Sequence, residues 1–312
     1  MRRILLLTVL AALVAGLAAW PRHLISRPAV NPDFVHFESA HVHPATLTPG
    51  GGRLLVVNTP DARLSVFDVT GAAPVRIAEI PVGMEPVSVA CLNDSVAWVV
   101  NQLSDDVSVV DLNLMHTRAT VRAGDEPADV VFAGAPTRAY VSVSGEDVVK
   151  VYDPANPAAP LASIAIPGRM PRALAKTADG SKVYAAVFAG GNRTTVMAGT
   201  RFPADSMPAD PDLPRDPGLP SPPPRVGLIV QQQNGSWYDM YGNLWSSKVK
   251  YTMPDNDVIE ITTSSAAVTR TFSDVGTINF NLAVSPLDGR LAVVNTQGRD
   301  LLRFEPRLVG YL

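Results

Sequence analysis

Cysteine is almost missing from this 312-residue chain: Cys91 stands alone. No intramolecular disulfide can form, and no CxxCH haem attachment occurs anywhere in the sequence. Cys91 falls in an apolar run and reads as a buried strand thiol. An excess of either charge is lacking too. Lys and Arg number 26 against 29 Asp and Glu, a net charge of −3, so no basic field is available to hold a nucleic-acid backbone by counterion release. Nucleic acid is therefore set aside as a partner. Also missing are amphipathic runs of helical length, a serine nucleophile elbow and a phosphate-cradling glycine loop.

The one long apolar run is N-terminal. MRRILLLTVLAALVAGLAAW places Arg2 and Arg3 before an apolar stretch from Ile4, with small residues around Leu17-Ala18-Ala19. This is the pattern of an export signal over 1–20, followed by a linker over 21–38. About 16 apolar residues are short for a bilayer span, so membrane contact is expected only through this segment left uncleaved. The expected location is periplasmic, cell-surface or secreted.

What the rest of the chain has in abundance is repetition. Asn58 and Asp68 are ten residues apart, as are Asn101 and Asp111, Val143 and Asp153, and Asn295 and Glu305. Each pair closes a similar apolar alternation, from LLVVNTPDARLSVFD to LAVVNTQGRDLLRFE. A second register keeps the same step of roughly 42 residues: Pro44, Pro86, Pro127 and Pro171, the last three in GMEP, GDEP and GRMP. Glycine is expected to supply the positive φ of a tight turn there, and proline the first residue of a strand. Within one unit, PVSVACLND, SVAWVVNQ, DVSVVDLN and TRATVRAG read as four short strands. Four antiparallel strands at this period make the expected fold an all-β propeller. Its units run over about 39–80, 81–122, 123–165, 166–275 and 276–312, four complete and a fifth partial.

The fourth unit is interrupted. Val187 and Thr262 are 75 residues apart where ten are usual, so roughly 65 residues are inserted, over about 190–256. The part from Pro203 to Pro224 has nine prolines, too many for a packed core, and reads as an extended excursion. The part that follows, VGLIVQQQNGSWYDMYGNLW, alternates around Asn234-Gly235, a two-residue hairpin signal. It carries Trp237, Tyr238, Tyr241 and Trp245, which either pin the hairpin to the propeller or form a binding surface. If the strand after each proline is innermost, the Gly-x-x-Pro links and the loops between second and third strands share one rim. The insert then overhangs that rim, with Glu85, Asp125, Glu126 and Arg169 as partner-binding candidates.

His41-Val42-His43 puts two imidazoles on one side of an extended strand, a weak chelating pattern with no third ligand nearby in sequence. No metal or cofactor is otherwise evident. Asp68, Asp111 and Asp153 recur in successive units, which points to turn formation, because a catalytic group is needed once and a turn in every blade.

The units resemble the YVTN-type β-propeller repeats of exported or surface proteins of bacteria and archaea, with their Gly-x-x-Pro entry, their Val-Val-Asn strand end and their Val-Ser-Val-Val-Asp. WVVNQLSDDVSVVDL, from Trp98 to Leu112, carries the pattern most fully. The resemblance covers about Ser39 to Ala189 and then Asp257 onwards. It implies a seven-bladed ring, against which four units and a fifth stopping after Leu301 to Glu305 read as an incomplete part, or as an unusual five-bladed closure. It also implies possible companions, since some such propellers adjoin or are fused to c-type cytochromes and others resemble lactone-acting or lyase propellers. The expectation drawn from repetition without a unique polar cluster is an exported, non-catalytic scaffold that binds an unidentified protein or small molecule at the rim. The alternatives are a redox propeller paired with a c-type cytochrome, and a lactonase-like or lyase-like enzyme with His41, His43, Glu85 and Asp125 converging on the channel mouth.

Overall fold

The computed structural model describes residues 40–198, 227–239, 241–251 and 255–298. The expected export signal, the linker, the proline-rich part of the insert and the strand at Leu301 to Glu305 lie outside the described residues.

The first blade comprises β1 (Ala45–Leu47), β2 (Arg53–Asn58), β3 (Arg63–Asp68) and β4 (Val75–Pro81). The second comprises β5 (Pro86–Asn93), β6 (Val96–Asn101), β7 (Asp106–Asp111) and β8 (His116–Arg122). The third comprises β9 (Pro127–Ala133), β10 (Arg138–Val143), β11 (Val148–Tyr152) and β12 (Ala162–Ala165). The fourth begins with β13 (Pro171–Lys176) and β14 (Lys182–Val187). The insert then contributes its own sheet of β15 (Thr194–Ala198), β16 (Gly227–Gln233) and β17 (Ser236–Tyr238). β18 (Val258–Thr262) and β19 (Ala267–Phe272) complete the fourth blade, and β20 (Ile278–Val284) pairs with β21 (Leu291–Thr296) in the fifth. Every strand pair is antiparallel. The all-β propeller of four complete blades and a partial fifth is thus observed.

The period-two alternation of each strand is what stacks the blades. Along β6, Val96, Trp98 and Val100 join a core shared with Val130, Phe132 and Val141 of the third blade. Ala97 and Val99 face the other way, into a core shared with Leu55, Val57 and Leu64 of the first. A strand buried on both faces must be apolar throughout, and VAWVV is. Trp98 is fully buried, its ring edge-on to Phe132 and Tyr152 at 5.6 and 6.2 Å. The third and fourth blades meet in the same way through Tyr140, Val149, Leu174, Val183 and Ile259. β1, β5, β9, β13 and β20, the first strands of successive blades, stand side by side as the inner strands.

The recurrent aspartates form Asx turns: Asp68 Oδ1 accepts from the amide of Thr70 at 2.8 Å, Asp111 Oδ1 from Asn113 and Leu114, and Asp153 Oδ1 from Ala155. The blade entries differ from expectation. Gly124 of GDEP has the expected positive φ (114°), but positive φ also falls on the residue before the proline in three entries, Glu85 (50°), Glu126 (52°) and Met170 (59°). Their carbonyls accept from the amides of Gln102, Ser144 and Phe188, each at 2.9 Å, and Asp105 and Asp147 accept from the amides of Glu126 and Met170 at 3.2 and 2.8 Å. The loop of one blade therefore holds the strained entry of the next, which offsets its conformational cost. Gly83 serves close approach, because a Cβ there would crowd the side-chain ends of Ser104, Asn101 and Asp106.

Candidate functional site

The inner strands bring polar side chains together at the axis. The segment carrying Val42 and His43 runs beside β5, with Val42 N bonded to Val87 O and Val89 N to His43 O at 3.0 Å. Val42 is buried with Ala128, Ala173 and Leu282. His43 follows it, and its Nδ1 lies 2.7 Å from Asp129 Oδ2.

Asp129 is the hub of this cluster and is fully buried. Its Oδ1 accepts from Ser88 Oγ at 2.5 Å and from Val130 N at 2.9 Å, and its Oδ2 also accepts from Leu174 N at 2.7 Å. With these donors the carboxylate can be carried as a buried charge. The His43 side chain is 36% exposed and Asp129's is 0% exposed, so the pair has one member that a ligand can reach. Burial works against a charge on His43, but the Asp129 carboxylate, the bond to it and a bond with Asn281 outweigh that and raise its pKa above the usual imidazole value. Asn281 is itself anchored, donating from Nδ2 to Val42 O at 2.8 Å.

Ser88 is fully buried and its hydroxyl is committed to Asp129, so it is not aligned as a nucleophile on His43. Arg172 acts on the same segment from β13. It donates to Ala40 O at 2.7 Å and to Gln102 Oε1 at 3.4 Å, with its guanidinium 5.5 Å from the Phe188 ring centroid. It tethers the stretch of chain that delivers His43.

The rim and insert residues fall elsewhere. His41 does not share a ligand with His43: its Nε2 lies 2.5 Å from Thr59 Oγ1. Among the described residues no group of three or more His, Cys, Asp or Glu is arranged to hold a metal ion. Glu85 and Glu126 form strained entries. Asp125 carries its amide to Glu146 Oε1 at 3.2 Å, and Arg169 is exposed with Nε 3.7 Å from Asp147. Of His41, His43, Glu85 and Asp125, only His43 joins the axial cluster. Trp237 and Trp245 are buried in the insert's own core with Leu228, Val230 and Val249, while Tyr238 is half-buried and Tyr241 is 44% exposed.

Ser88, Asp129, Arg172 and Asn281 were not singled out from the sequence. A signal was present: Ser88 and Asp129 each stand two residues after an entry proline, polar interruptions in the apolar strands PVSVA and PADVV. Repetition concealed them, since the position two after the proline holds Thr46, Ser88, Asp129 and Ala173, a different residue in each blade.

A family model described as "Lactonase, 7-bladed beta-propeller" matches residues 22–198. No curated protein matches the sequence. Among solved structures, hydrazine synthase from Kuenenia stuttgartiensis is similar at 16% identity and a TM-score of 0.47, over 84% of this chain and 98% of that one. A functionally unknown protein from Desulfotomaculum acetoxidans is similar at 11% identity and a TM-score of 0.46, over 84% of this chain and 64% of that one. The family match overturns the expectation of a non-catalytic scaffold. That expectation took recurring polar residues as turns and so left no unique cluster, whereas the axial cluster is assembled from one residue per blade.

Proposed function

The chain belongs to the Lactonase family of 7-bladed β-propellers, and on that premise we propose that it opens a cyclic ester by hydrolysis, with proton transfer at His43. The observation that carries this reading is the reachable imidazole bonded to a buried carboxylate at the axis. Donation from Nδ1 to Asp129 fixes the ring and its tautomer, and the ring's other nitrogen, Nε2, takes and returns a proton when a ligand displaces the bond with Asn281. A water oxygen adds to the ring carbonyl as its proton passes to His43. The ring C–O bond then breaks, and the departing alkoxide takes up that proton and leaves as an alcohol. Arg172 and Asn281 position the His43 segment, and Ser88 holds Asp129. We further propose that the repeats are of the YVTN type and that residues 1–20 direct export.

The test is hydrolysis of γ-butyrolactone, δ-valerolactone and dihydrocoumarin by the full chain, followed as acid release. The reading expects turnover of at least one, and a loss of about 100-fold or more in kcat/KM for His43→Gln, the usual range for a general acid–base. No turnover of any of the three above buffer, or full activity in His43→Gln, contradicts it.

A further inference from the structure

The insert builds a second concave site from residues that the axial cluster does not use. Side chains alternate along β16, so while Leu228 and Val230 enter the insert's core, Ile229, Gln231 and Gln233 share the opposite face. That face bounds a cavity of about 450 Å³, within the range of small-molecule sites. Tyr238, Asp239 and Gly242 of the insert and Gln297 and Gly298, beyond β21, also line it.

Among the described residues the wall has no cationic side chain. Its one acid is occupied: Asp239 Oδ1 accepts from the amides of Tyr241 and Asn243, and Oδ2 from Asn243 Nδ2 and Trp245 Nε1, at 2.9 to 3.0 Å. Burial works against that charge, but these bonds keep its pKa below the ordinary carboxylate value. The polar surface is otherwise dominated by carboxamides. Gln231 donates to Asn192 O at 3.0 Å and Gln233 donates to Gln231 Oε1 at 3.2 Å. This chain fixes the planes of both amides, and each has a second N–H and further acceptor capacity.

Among the described residues an anion would meet the Asp239 carboxylate and no cation. An apolar ligand would strip water from the amides at a cost of about 1–3 kcal/mol for each group left unmatched. An added peptide strand needs a sheet edge, and this is a sheet face. A molecule with adjacent hydroxyls, each both donor and acceptor, matches the fixed carboxamides, and Tyr238 adds an aromatic side chain to the same wall. We propose that the cavity binds a neutral saccharide.

Ligand-detected NMR of the full chain with maltose, cellobiose, lactose and diacetylchitobiose, and with glucuronate and glucosamine as charged counterparts, tests this. Binding of at least one neutral disaccharide in preference to the charged sugars is expected, weakened at least ten-fold in Gln231→Ala and in Gln233→Ala. His43→Gln should leave that binding unchanged and the glutamine variants should leave lactone hydrolysis unchanged, so the two proposals fail separately. No binding by the four neutral sugars, equal binding of glucuronate, or wild-type affinity in a folded Gln233→Ala chain overturns it. Gln233 donates one side-chain bond, to Gln231, so its variant decides the matter if Gln231→Ala unfolds the insert.

Discussion

Asp129 and Asp255 are both buried acids with different hydrogen-bond partners. Asp129 receives Ser88, Val130, Leu174 and His43. Asp255 has Arg193 at 3.4 Å and the amide of Asp274 at 3.0 Å, but its Oδ1 has no hydrogen-bond partner, and burial with Asp257 close by pushes its pKa up to about 6. The native state therefore keeps a proton on Asp255 that the unfolded chain, titrating near 3.8, gives up. Its contribution to stability is complete below about pH 4 and declines until about pH 6. Asp255→Asn should flatten that decline, so its melting temperature relative to wild type rises between pH 4 and 6.5. A constant difference across that range would show that Asp255 ionises normally. The His43 pairing has the same sign: its raised pKa stabilises the fold at low pH and the benefit fades as pH rises through the folded value. Cys91 stays a thiol, since burial pushes it up to about 11.

At the scale of elements, the described part of the insert has its own small core, and Asp239 organises it. A carboxylate bonded to Tyr241, Asn243 and Trp245 fixes the turn that presents Tyr238 and Gly242. Asp239→Ala should cost roughly 3 kcal/mol or more, because charge-assisted bonds are lost and donors are left unpaired. The loss should be local. Hydrogen exchange over 227–249 should accelerate while the blade strands, held by the interfaces around Trp98 and Tyr140, keep their protection. Equal acceleration in β6 and β10 would mean that the insert and the blades unfold together. The hairpin was legible at Asn234-Gly235, where β16 turns into β17. The destinations of the tryptophans were not, because an aromatic cluster looks the same in sequence whether its rings face inward or outward.

At the scale of the molecule, the blades were legible because each must satisfy the same two constraints: alternation to fill two interfaces, and a proline entry to start the inner strand. Recurrence at a step of roughly 42 residues is the trace those constraints leave. The axial cluster leaves no such trace. Asp129 meets Ser88 across 41 residues and His43 across 86, and only the side-by-side packing of the inner strands brings them together. HVHP was visible as a departure from GMEP and GDEP, yet which of its imidazoles turns to the axis depends on Val42 filling the centre.

The most direct test of the axial site is the pH dependence of kcat/KM for lactone hydrolysis, which reports the ionisation of the free enzyme. With Asp129 beside it, His43 should give a profile that rises with pH through a midpoint above 6.5. In Asp129→Asn, compared where circular dichroism shows the chain folded, the midpoint should fall and the plateau rate should drop. A rate independent of pH between 5 and 9, or an unchanged midpoint in the folded variant, would contradict the assignment of proton transfer to His43.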